Sequence, residues 1–190
     1  MANRNILGFR PCKMLDGSSI PVLRFPIDAS NGTNVFVGDV VANNAAGSVR
    51  PAAADAGVTA AGVVVALYDS VGVPIDHPSS STGTPYLASS TAGYADVALA
   101  LPDAVFRAQS LTAITAADVW GTIDHVAGTG NTTIGSSAHE LNGGGGISTE
   151  GQFLILGKVD EPNNTWAADV DVYVTFHESV WAQVDTAVGV

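Results

Sequence analysis

The chain has 190 residues, 46% of them hydrophobic and only 13% charged, with a formal net charge of −11. That length can bury one core, while so large an acidic excess repels nucleic acid, whose binding rests on neutralising phosphates. A single cysteine, Cys12, excludes an internal disulfide framework and a cysteine-rich zinc site, and no apolar run reaches the length of a membrane span.

The charge is unevenly placed. Residues 1–24 carry Arg4, Arg10, Lys13 and Arg24 against Asp16 alone, which leaves three basic and seventeen acidic residues for the rest. Pro11, Pro21 and Pro26, with the turn signal Asp16-Gly17-Ser18-Ser19, predict an extended N-terminal arm over residues 1–30. A single β-rich domain is expected over 31–190. The basic side chains of the arm suit docking on an acidic partner surface, since arginine pairs bidentately with carboxylates; a solvated basic terminus is the plain alternative. Met1–Pro11 lacks the continuous apolar stretch of a secretory signal, so synthesis in the cytoplasm is expected.

Asn31-Gly32 marks a turn, and Val35-Phe-Val-Gly-Asp-Val-Val a strand with Gly38 as a bulge or point of close approach. Ala60–Asp69 is a continuous apolar run whose β-branched centre predicts a strand buried on both faces. Residues 70–85, with Pro74, Pro78 and Pro85, form a long surface loop. Tyr94–Leu101 alternates, and after Pro102-Asp103 the run Ala104–Ser110 returns as the second arm of a hairpin. Thr115-Ala-Ala-Asp118 opens one short helix over roughly residues 116–122. Gly128–Ser137 is rich in turn residues. Gly143–Gly146 is a flexible turn rather than a phosphate loop, because no Lys-Ser/Thr follows and a strand, not a helix, comes next.

Pro162, Asn163 and Asn164 mark a loop before the closing run Ala168–Glu178. There Val170, Val172, Val174 and Phe176 fall on one side of an extended chain, and Asp169, Asp171, Thr175 and His177 on the other. About eight strands, one short helix and long loops make a mainly-β fold, a compact antiparallel β-barrel or β-sandwich.

His77, His125, His139 and His177 each stand beside an acid. Ser136, His139 and Asp124 can be written as a hydrolase triad, but the Gly-x-Ser-x-Gly elbow is missing. His125, His139 and a carboxylate can be written as a metal site, but no His-x-x-x-His spacing supports it. With four histidines and eighteen acids such adjacency is expected by chance. Trp120 is expected in the core, whereas Trp166, in a polar loop, and Trp181, near the end, suit interface anchors.

Several stretches together resemble structural proteins encoded near the head genes of tailed bacteriophages, capsid decoration (cement) proteins in particular. They are Gly8-Phe-Arg-Pro, Val37-Gly-Asp-Val-Val, Ala61-Gly-Val-Val-Val, Leu101-Pro-Asp-Ala-Val-Phe-Arg-Ala-Gln, Gly128–Leu141 and Leu156–Trp166 with the closing strand. The resemblance implies a virion component on the outer capsid surface, made in the host cytoplasm. It implies a β-rich homotrimer whose partner is the major capsid protein, with no enzymatic activity, no cofactor and no nucleic-acid or membrane partner. The expected capsid or subunit contacts are Arg4, Ile6, Leu7, Phe9, Arg10, Lys13 and Arg24 of the arm, with Trp166 and Trp181. The Ser/Thr/Pro-rich loop at 78–91 departs from the resemblance and is expected to reach solvent or a neighbour. Two alternatives stand beside this reading: a head-fibre or vertex protein, and a carbohydrate-binding β-module for host adhesion using Trp166, Tyr86 and that loop. A hydrolase using Ser136 is a distant third.

Overall fold

The computed structural model describes residues 7–44, 47–54, 59–76, 79–143 and 151–181. Arg4, Ile6, His77 and Gly144–Gly146 lie outside the described residues. The described residues form twelve strands in two five-stranded sheets and one ribbon, every ladder antiparallel. The first sheet runs β1 (Arg10–Met14), β7 (Ala104–Gln109), β12 (Asp171–Phe176), β11 (Phe153–Lys158), β8 (Thr122–Ile123). The second runs β2 (Val22–Ile27), β6 (Gly93–Leu99), β5 (Ala60–Tyr68), β3 (Val40–Asn43), β4 (Val49–Pro51). The ribbon is β9 (His125–Asn131) with β10 (Ser136–Leu141). The fold is mainly β and open-edged, a sandwich rather than a closed barrel.

The closing strand carries the alternation its sequence predicts. Val170, Val172, Val174 and Phe176 all enter the main core, which the two sheets bury between them. Removing those four side chains from water contributes on the order of 6–12 kcal/mol before chain entropy is counted. A second, smaller core lies on the far face of the second sheet. Strand β5 feeds both: Ala60 and Val63 face the main core, Ala61, Val64 and Leu67 the smaller one. Register shifts between Val41 and Ala42 against β3, and between Val64 and Ala66 against β6, reset the alternation. From Ala60 to Val64 both faces are buried, which accounts for the unbroken apolar start of the run, while Val65, Ala66 and Tyr68 are partly exposed.

Four expectations change. Residues 93–99 and 104–109 are not a hairpin: β6 already has β2 and β5 on its two sides, so after Pro102 the chain crosses to the first sheet. The expected helix is one 3-10 turn, Ala116–Asp118. Asp118 accepts the Thr115 N–H (2.6 Å) and hydroxyl (2.8 Å), but Val119 is extended and Trp120 has φ 71°, which ends it. Trp120 is 70% exposed and not a core residue. The arm is extended as its prolines predict, yet paired: β1 and β2 are edge strands, with Phe9, Met14, Ile20 and Ile27 buried.

The prolines sit where a sheet tolerates them. The Leu99 N–H donates to Pro21 O, which fixes the parity of β2 so that Pro26 turns its nitrogen to the open edge. Ala52 N–H donating to Val40 O does the same for Pro51 in β4. Pro11 lies in β1, the edge of the first sheet, and β8, the remaining edge, has two residues.

The loop after β5 folds back over the smaller core. Asp69 accepts the N–H groups of Val71 (3.0 Å), Val73 (2.9 Å) and Ser81 (3.0 Å) and the Ser81 hydroxyl (3.1 Å). Ile75 and Leu87 are buried, and Leu87 bridges to Val35. Among its described residues the 78–91 loop lies over the sheet through Leu87, while Ser79, Ser81, Gly83, Pro85, Ser89 and Ser90 are exposed to solvent.

Candidate functional site

The most unusual chemistry in the fold is a carboxyl and two imidazoles enclosed where β3, β9 and β10 meet. Asp39 closes a tight turn: its carboxylate accepts the Phe36 N–H at 2.9 Å, and its own N–H donates to Phe36 O at 3.2 Å. Gly38 makes that turn possible. Its φ is 95°, and a Cβ there would lie 2.6 Å from Leu7 O. This is the close approach its sequence position suggests. Residues 36–39 are further held by Gly38 N–H to Val64 O (2.8 Å), Val64 N–H to Asp39 O (3.0 Å) and Phe9 N–H to Gly38 O (2.9 Å).

His139 projects from β10 beside Asp39, and both are almost completely buried. Its Nδ1 accepts the Val40 N–H (3.2 Å), while Nε2 stands 3.6 Å from Asp39 Oδ1. The His125 ring lies 5.1 Å from that of His139. His125 Nδ1 is 2.6 Å from the Gln152 amide oxygen and Nε2 3.3 Å from Ala52 O. Burial pushes the Asp39 carboxyl up to about 7, against the opposing pull of its bonds from Ser137 and Phe36 N–H. Burial likewise pushes His139 down to about 3, helped by the neighbouring His125. His125 is itself lowered by burial, opposed by Gln152. The imidazole is neutral at pH 7, so Asp39 and His139 are polar neighbours rather than an ion pair.

Asp39 and His139 line the floor of a groove of about 810 Å³. One side is strand β9 from Ala127 to Gly130; the other is built largely from residues 30–44. Phe36 walls it, pressed against Gly130 and stacked on Tyr86 at 5.1 Å. Asn44 and Arg50 stand toward the opening, neither bonded through its side chain among the described residues.

The histidines singled out from sequence do come together, but not with the partners written for them. Asp124 accepts the Gln152 N–H (3.2 Å), whereas the carboxyl beside His139 is Asp39. Ser136 pairs with Asn131 at the ribbon turn. Among the described residues no group of three ligating side chains could hold a metal ion. No spacing motif points to Asp39, although an acid inside the apolar run Val35–Val41 is a signal that marks it.

The expected contact residues scatter. Phe9 is a core residue, stacked on Phe153 at 4.7 Å, so it presents no surface to a partner. Leu7 is half-buried. Arg10 and Lys13 stand exposed on β1 and make no salt bridge among the described residues. Arg24 is engaged within the chain: its guanidinium lies 3.7 Å over the Tyr68 ring and forks onto Asp96 at 2.7 and 3.1 Å. Trp166 packs against the main core, and Trp181 donates its indole N–H to Ala61 O at 2.7 Å while remaining 37% exposed. Among the described residues no helix is long and apolar enough to cross a membrane. Comparison with protein-family models, curated proteins and solved structures gave no match.

Proposed function

We propose that this chain is a virion structural protein, a capsid decoration (cement) protein that binds the outside of the major capsid lattice and bridges neighbouring capsomers. The observation that carries the reading is the pair Arg10 and Lys13: two exposed cations without salt bridges on an edge strand of a chain whose net charge is −11. Arg10 also acts on Glu161 of its own chain, helping Arg107 to hold that carboxyl down, yet neither Arg10 nor Lys13 is bridged among the described residues, which leaves their donors for an acidic partner surface. The strand that presents it is firmly seated. β1 is laddered to β7, and Phe9 and Met14 flank it as buried anchors, so load on the patch passes into the first sheet. Binding only the assembled lattice would stabilise that lattice by mass action. A homotrimer would make weak single contacts durable through effective concentration.

The test is co-sedimentation with undecorated capsids of the virus that encodes the chain. Arg10→Glu combined with Lys13→Glu is expected to abolish binding with the β-sheet circular dichroism unchanged. Wild-type occupancy by the double variant would refute the reading, as would absence of the chain from purified virions. Deletion of residues 1–30 is not a usable probe, because it removes two strands and four core side chains.

A further inference from the structure

The floor of the groove holds a hydrogen-bond donor with no acceptor in range. His139 Nδ1 takes the Val40 N–H, so the ring proton resides on Nε2, and the nearest carboxylate oxygen, Asp39 Oδ1, is 3.6 Å away. That separation exceeds hydrogen-bond reach, so among the described residues the donor is left to whatever occupies the groove. A single oxygen placed ~2.8 Å from each atom closes the gap. It must accept from Nε2–H and donate toward the carboxyl, and a hydroxyl does both. Charged ligands fit poorly: Arg50 is the groove's one cation, Asp39 lies at the floor, and the whole chain is acidic. An apolar ligand would leave Nε2–H stranded. The volume falls within the range of small-molecule sites.

We propose that this groove binds an uncharged polyhydroxylated ligand, a glycan segment, with one hydroxyl seated between His139 and Asp39 and its neighbours held by Asn44 and Arg50. The site differs from the one expected of a carbohydrate-binding module: Trp166 packs, half-buried, against the main core away from this groove, and Tyr86 stacks on Phe36. It is independent of capsid binding and can be measured on the free protein.

The experiment is a heteronuclear NMR titration of the full chain. The probes are maltotriose, chitotriose, galactose and N-acetylglucosamine, with N-acetylneuraminic acid and benzoate as charged probes. At least one neutral saccharide is expected to give saturable shifts at the amides of Ala127–Gly130 and Asn44. Asn44→Trp, which fills the opening from a surface position, should weaken that binding at least ten-fold. His139→Phe, which keeps ring volume and removes the donor, should do the same. No saturable shift with any neutral probe overturns the proposal. So does equal binding by Asn44→Trp, or tighter binding of either charged probe.

Discussion

Asp39 and His139 make opposite demands on pH. Asp39 keeps its proton in the folded chain up to about pH 7, whereas the unfolded chain releases it near 3.8. Its contribution to stability is therefore complete below the ordinary carboxylate range and drains as pH rises through 7. His139 stays neutral in the folded chain down to about pH 3, whereas the unfolded chain takes up a proton below 6.5. Its contribution is complete above 6.5 and drains as pH falls toward 3. Between pH 4 and 6.5 the two slopes oppose, each bounded by about 1.4 kcal/mol per pH unit. Asp39→Asn is expected to leave a protein that weakens as pH drops from 6.5 to 4, and His139→Gln one that weakens as pH rises from 4 to 7. Urea midpoints across that range are the measurement, and slopes of the same sign in both variants would contradict the pairing. Gly38→Ala attacks the same turn through the backbone. It forces a left-handed φ on a side chain 2.6 Å from Leu7 O, and should lower unfolding free energy by at least about 2 kcal/mol.

At the scale of elements, the cover over the smaller core depends on one carboxylate. Asp69 gathers three backbone N–H groups and a hydroxyl, and these bonds, led by Ser81 N–H, hold its carboxyl below the usual carboxylate range. Its contribution is thus present above pH 4 and lost as pH falls below it. Asp69→Ala is expected to speed hydrogen exchange at Val71, Val73 and Ser81 while the amides of β12 stay protected. Uniform loss of protection across both regions would mean the loop is not a separate unit. The sequence makes such elements legible unevenly. The valines of β12 and the unbroken run of β5 disclose strands directly, because period and burial are local properties. The crossing between β6 and β7 is not local. Pro102-Asp103 turns the chain either way, and only the occupied sides of β6, taken by β2 and β5, decide which sheet receives β7. Trp120 misleads for a related reason: a large aromatic predicts burial, but its backbone, with φ 71°, sets it at the margin of the first sheet.

For the molecule as a whole, the class of fold follows from turn residues and apolar periodicity, while the candidate site does not. His125 and His139 are fourteen residues apart and meet because the β9–β10 ribbon doubles back. Asp39 arrives from the turn before β3, a hundred residues before His139, and no spacing rule joins positions so distant. The same holds for the charge on the surface. Four basic residues near the start look equivalent in sequence, yet Arg24 is spent on Tyr68 and Asp96 while Arg10 and Lys13 are not. On the proposed reading of the chain as a capsid decoration protein, reversing Arg10 and Lys13 removes lattice binding, whereas Arg24→Glu chiefly loosens β2 against β6; co-sedimentation alongside thermal melts separates the two effects.

The placement of Pro11, Pro26 and Pro51, with the brevity of β8, bears on how copies of this chain can crowd together. A sheet margin that lacks N–H groups at intervals, or is too short to template a partner, cannot grow by recruiting another molecule's strand. At those four margins contacts between copies are confined to side chains and loops. Copies that meet at those margins stay separable particles instead of extending one another's sheets.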